Sequence, residues 1–211
     1  MDRVRLKENA KKKIEGNKWF LWKPLVYFTL ILFAVAFVII LPCCFAMDTD
    51  SDGFKAIVSI ISSLFSFLET FFIFGYAKYC LNFVRGKKED WKEPFKFGMK
   101  YFVPILLIDL LMSLNIIIGS VLLIIPGIMA ALGLSFVQEV FADNQKLGVK
   151  ETLKKSWDIT NGYKMDLFVL GLSFLGWSIL GALTCGILYI WVFPYMTVTY
   201  LLAYEELAKK K

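Results

Sequence analysis

Histidine is absent from all 211 residues, which removes the commonest general base, proton relay and metal ligand together. Cysteine is scarce. Cys43, Cys44, Cys80 and Cys185 lie in or beside apolar segments, and no pair has zinc-binding spacing. They read as small apolar fillers. There is no glycine-rich phosphate loop with its lysine, no paired carboxylates in a soluble domain, and no Cys/His or Ser/His arrangement. The expectation is therefore a protein that is not an enzyme and holds no cofactor or metal. Charge is also thin, at 20% of residues against 58% hydrophobic, and Leu167 to Tyr204 runs for 38 residues without a charged side chain. At ~1.5 Å per helical residue that stretch measures about 57 Å, nearly two crossings of a ~30 Å hydrocarbon slab.

This length predicts an all-α polytopic membrane protein with six transmembrane helices as three hairpins and cytoplasmic amphipathic interfacial helices. The single membrane domain divides into an amphipathic helix (1–23), hairpin 1 (24–84), a loop (85–100), hairpin 2 (101–142), a second amphipathic helix (143–164), hairpin 3 (165–206) and a tail (207–211). Span one runs from Leu25 to Met47, longer than a signal-peptide core, so no cleavable leader is expected. Span two runs from Ala56 to Val84. The double-length run from Tyr101 to Gln138 should reverse at Ile125-Pro126-Gly127, and the last at Thr184-Cys185-Gly186, because proline and glycine interrupt helices. Pro42, Pro104 and Pro194 would kink or end their spans.

The net charge of +6 is confined to particular segments. Of 24 Lys and Arg, 22 fall before span one, between Arg85 and Lys100, between Lys146 and Lys164, or in the closing Lys209 to Lys211. The positive-inside rule then puts both termini and both basic loops in the cytosol. Charge of this kind orients spans, and nucleic acid is not expected as a partner.

A repeat joins two of the basic segments. Leu6-Lys7-Glu8, Ala10-Lys11-Lys12 and Ile14-Glu15 match Val149-Lys150-Glu151, Leu153-Lys154-Lys155 and Trp157-Asp158 in kind, at an offset of 143. Apolar members at i, i+4 and i+8 make one helical stripe, expected to face the lipid boundary with the basic side toward headgroups. Gly16-Asn17-Lys18 and Gly162-Tyr163-Lys164 follow, and Gly98-Met99-Lys100 offers a third copy before the middle hairpin. Lys11, Lys12, Lys18, Lys100, Lys154, Lys155 and Lys164 are the expected contacts to anionic phospholipid headgroups.

Charged groups within spans cost roughly 2.5–3.5 kcal/mol each on insertion scales and are functional candidates by default. Lys78 and Asp109 fall at similar depths, about 9 and 12 Å, and so do Glu69 and Asn115, about 22 and 21 Å. These four form a candidate intramembrane polar site, with Lys78–Asp109 as an expected ion pair. The alternative is interhelical hydrogen bonding that fixes register. Glu139 lies near the end of span four and reads as interfacial.

The chain resembles the bacterial six-span proteins grouped as domain-of-unknown-function family 975, over nearly its whole length. The resemblance rests on Leu6-Lys7 with Ala10-Lys11, Gly16-Asn17, Ile125-Pro126-Gly127-Ile128, Ala142-Asp143-Asn144, Leu147-Gly148, Leu153-Lys154-x-Ser156, Gly176-Trp177, Leu183-Thr184-Cys185-Gly186 and Pro194-Tyr195. It implies a multi-pass protein of the bacterial plasma membrane and no particular activity. The central block is also similar to the membrane domain of some glycerophosphodiester phosphodiesterases, where a proline-glycine turn precedes a basic helix containing Ser-Trp. That likeness implies a setting next to lipid. The function expected is a non-enzymatic organising or accessory protein, with a protein partner or a second copy of the chain. The alternatives are a small transporter or lipid-handling protein and, third, an intramembrane enzyme. A cavity lined by the polar groups favours the second, and solid packing around them the first.

Overall fold

The computed structural model describes residues 1–46, 48, 51–122, 124–184 and 188–211. Among these the chain is all-α, without a strand. The helices are α1 (Arg3–Ile14), α2 (Lys18–Ala46), α3 (Asp52–Val84), α4 (Glu93–Lys100), α5 (Phe102–Leu122), α6 (Ile124–Gly133), α7 (Val137–Asp143), α8 (Val149–Thr160), α9 (Lys164–Leu183) and α10 (Tyr189–Ala208). Five segments are long and apolar enough to cross a membrane: Lys18–Cys43, Asp52–Val84, Phe102–Val121, Ile125–Asp143 and Lys164–Leu183. The sixth expected span corresponds to α10, which ends in Glu205 and Glu206 and is not among them. The expected end of span one at Met47 and the Cys185-Gly186 turn lie outside the described residues.

The exterior is apolar, unlike that of a water-soluble fold, and a few hydroxyls lie within an otherwise apolar core. Phe33, Val38, Val121 and Leu183 are 68–81% exposed, whereas Thr152, Ser156, Thr160 and Thr199 are fully buried. An exterior of that kind is matched to an apolar surrounding. Inside it, hydroxyls satisfy backbone groups that irregular helices leave free. Pro24 has no N–H for the carbonyl of Phe20, and the Tyr79 hydroxyl donates to that carbonyl instead at 2.9 Å. The Tyr76 hydroxyl donates to Leu21 one residue on, at 3.2 Å.

Helix α6 begins at Ile124, so Pro126 occupies its first turn, where a missing N–H costs little. Ile125, Pro126 and Gly127 thus lie within a helix rather than in the expected turn. Gly127 is required for a different reason: a Cβ there would lie 2.5 Å from Ser120 Oγ on α5. The run also breaks between Gly133 and Val137, separating α6 from α7. Helix α8 repairs the break. Ser156 Oγ donates to the Gly133 carbonyl at 3.0 Å and accepts from the Phe136 N–H at 3.3 Å, and Thr160 Oγ1 donates to Gly133 at 3.1 Å.

Each short basic-segment helix has its principal packing partner in a longer apolar run. α4 lies on α3, α8 on α7, and α1 on α10, so the first helix packs against the last. The α4–α3 crossing is backbone to backbone: a Cβ on Gly98 would lie 2.7 Å from the Phe71 carbonyl oxygen, and Gly75 abuts Pro94 in the same way.

The repeat is present, but its register differs from the one read in the sequence. α1 and α8 are each 12 residues long and start at Arg3 and Val149, an offset of 146. At that offset Gly16 and Gly162 coincide, with φ of +81° and +87°, a left-handed conformation that glycine adopts without a Cβ penalty. The stripes also need correction. Leu6, Ala10 and Ile14 are buried in the protein core rather than turned to a lipid boundary. In α8 the buried positions are Thr152, Ser156, Ile159 and Thr160, while Val149 and Leu153 are half-buried and Trp157 is 39% exposed. The third copy fails: Gly98 sits inside α4 and is not among the glycines of positive φ.

Candidate functional site

A cavity of about 520 Å³ lies between α2, α3, α7 and α10. Proline-bearing α2 supplies Phe28 and Thr29, and α3 supplies Glu69, Phe72 and Tyr76. α7 supplies Gln138 and Glu139, and α10 supplies Phe193, Thr197 and Tyr200. The Phe28 and Phe72 rings stack at 4.1 Å and 2°, and Tyr76 lies 5.9 Å from Phe72 and 6.1 Å from Phe193. These rings wall a space of the size that ordinarily takes a small organic molecule.

Two carboxyls reach this space. Glu69 stands on α3 and is exposed. Glu139 is held in α7, directly after the break that α8 repairs. Its Oε2 is shielded from solvent and has no hydrogen-bond partner among the described residues. The sequence placed Glu139 at the interface, since it is near the end of its run. The break at 134–136 re-aims the last segment and brings Glu139 into the cavity wall. Gly133, an isolated glycine inside an apolar run, was the signal available for that break. No lysine or arginine is among the described residues lining the cavity.

The other expected polar groups disperse. Asp109 is half-buried on α5 and does not line the cavity. Lys78 makes no ion pair with it; the Lys78 ammonium sits 4.8 Å above the Phe97 ring on α4. Asn115 donates to Leu111 one turn back in its own helix, at 2.7 Å, and is exposed. Glu69 is thus the one member of the expected four that lines the cavity.

The basic side chains lie elsewhere. A second cavity, about 410 Å³, is lined by Lys11, Glu15, Lys18, Trp177 and Tyr195 among others, between α1, the start of α2, α9 and α10. Lys164 lies 3.2 Å over the Trp157 ring and Lys100 5.2 Å over Tyr101. Lys12, Lys154 and Lys155 are exposed.

Below the first cavity, one arginine ties three helix ends. Arg85 follows α3, and its guanidinium meets Asp143 at the end of α7 and Glu205 near the end of α10, both at 2.6 Å. Hydrogen bonding to Asp143, and then to Glu205, raises the Arg85 pKa above its usual range and keeps it charged. The Tyr204 hydroxyl donates to the other Asp143 oxygen at 3.2 Å.

The model of a family described as "protein of unknown function (DUF975)" matches residues 116–211. The matched region runs from the second half of α5 through α10 and includes Glu139, Asp143 and the α8 hydroxyls. No curated protein and no solved structure matches the chain, so the similarity to the glycerophosphodiester phosphodiesterase membrane domain is not shown.

Proposed function

We propose that this chain belongs to family 975 throughout its length and spans the bacterial plasma membrane six times, with α10 as the sixth span and both termini in the cytosol. Within that frame we read it as a non-enzymatic lipid-handling or small-transporter protein that receives an amphiphilic molecule between α2, α3, α7 and α10. The observation that carries this reading is the aromatic-walled cavity of about 520 Å³ with the unpartnered Glu139 carboxyl in its wall. Solid packing with paired polar groups would have supported a purely organising role. A cavity bounded by helices with apolar exteriors favours an occupant taken up from the bilayer.

The organising role keeps one specific support, the second cavity. There Lys11 and Lys18 border an apolar floor that includes Val192, a combination suited to an anionic headgroup with its first methylenes. The two roles are compatible in one protein.

The test is purification of the full chain in a mild detergent, with quantification of co-purifying lipids and proteins. Thr197→Trp is expected to reduce the cavity-bound amphiphile severalfold and to leave lipid held by the basic side chains in place. Equal recovery of every species from both proteins would remove the cavity reading. Topology is tested separately on intact cells. An impermeant amine reagent should modify Lys55 and spare Lys150, and the reverse pattern would overturn the six-span orientation.

A further inference from the structure

We propose that the occupant of the α2–α3–α7–α10 cavity is an amphiphilic organic cation, its positive end toward Glu139 and its apolar body against the aromatic wall. This rests on the cavity reading above and goes beyond it by assigning the ligand's charge.

The first argument is charge balance. Among the described residues that line the cavity are two carboxyls, Glu69 and Glu139, and no lysine or arginine. The nearby cations are committed elsewhere: Arg85 to Asp143 and Glu205, and Lys78 to the face of Phe97. The second argument is satisfaction. A buried polar atom without a partner costs roughly 1–3 kcal/mol, and more when charged. Glu139 Oε2 is such an atom, and a cation in the cavity that pairs with the same carboxylate would offset that cost.

The third argument is the wall. Phe28, Phe72, Tyr76 and Phe193 line the same space, with Phe28 and Phe72 stacked on each other, and a cation within about 6 Å of an aromatic face is attracted by its quadrupole. Such a wall discriminates against a hard metal ion, which takes roughly six oxygen ligands. A neutral lipid would leave both carboxyls unmatched, and an anionic one would be repelled. Glu69 and Thr29, exposed residues of the lining, mark the side from which a ligand enters.

The experiment uses the full chain in neutral detergent with two probes of matched shape and opposite charge, tetraphenylphosphonium and tetraphenylborate, each corrected for partition into empty micelles. Tetraphenylphosphonium should bind saturably and tetraphenylborate should not. Glu139→Gln, which keeps size and removes the charge, should weaken the cation about tenfold or more, and Glu69→Gln about threefold, as expected for loss of Coulombic attraction at a desolvated and at an exposed position. Glu139→Asp should retain most of the affinity. Equal binding of both probes, or binding of the cation unchanged by Glu139→Gln, would overturn the assignment. If Glu139→Gln does not yield folded protein, the probe pair and Glu69→Gln decide the matter. Should Thr197→Trp displace a co-purifying neutral lipid while the cation fails to bind, the cavity reading stands and the cation falls. Should Thr197→Trp displace nothing and the cation fail to bind, both fall.

Discussion

The junctions α1–α2 and α8–α9 share a backbone and differ in the chemistry they bury. Each is a 12-residue helix closed by an extended residue, Glu15 at ψ 122° or Asn161 at ψ 126°. A left-handed glycine then precedes Lys18 or Lys164, where the next helix begins. Even the starts are alike in effect: the Asp2 side chain accepts from the Val4 and Arg5 N–H groups, and Glu151 reaches back to accept from the Gly148 N–H. Yet α1 buries Leu6, Ala10 and Ile14, and α8 buries Thr152, Ser156 and Thr160 at the same positions. The neighbours explain the contrast. α1 packs chiefly on α10, whereas α8 covers the α6–α7 break, where two backbone groups need hydroxyl partners. One scaffold serves as an apolar seal at one place and as a polar splint at the other.

Breaking the splint should have the largest effect. Ser156→Ala frees a buried N–H and weakens the hold on the Gly133 carbonyl, which Thr160 still reaches. A loss of about 2–3 kcal/mol is expected, read as a lowered thermal midpoint in detergent. Gly16→Val and Gly162→Val come next. Neither site has an atom within 4 Å of an added Cβ, so both should lose a similar ~1–2 kcal/mol from backbone conformation alone. Markedly unequal losses would deny the shared junction.

Arg85→Gln should cost about 1 kcal/mol, since its two carboxylate contacts are partly exposed and screened by solvent. The loss should shrink in high salt. Ala10→Ser should cost least, under ~1 kcal/mol, because a serine hydroxyl in a helix can bond the carbonyl one turn back. If it matched Ser156→Ala in size, the distinction between seal and splint would fail.

Much of this contrast was hidden in the sequence for a physical reason. The all-α class, the long apolar runs and the paired glycines Gly16 and Gly162 are written in composition and spacing. The 143-residue register came from matching lysines and apolar groups, such as Lys11-Lys12 with Lys154-Lys155, and it missed by three residues. Exposed lysines do not report the buried face, and in α8 three of its four buried residues are hydroxyls that an apolar pattern passes over. The same blindness moved the site. Asp109 drew attention as a lone acid in a greasy run, but α5 does not line the cavity. Glu139 reads as interfacial from its place near the end of an apolar run; the isolated Gly133 is the only mark of the break before it, and the packing of α7 beside α3 and α8 reveals its place.

The central claim is that Glu139 lines a cavity within the helical bundle that an amphiphilic molecule reaches from the bilayer. The direct measurement is labelling of the full chain in membranes with an apolar carbodiimide, followed by mass spectrometry of the modified carboxyls. Modification of Glu139 that Thr197→Trp suppresses is the predicted result. An unmodified Glu139, or one labelled equally well in the Thr197→Trp protein, would contradict it.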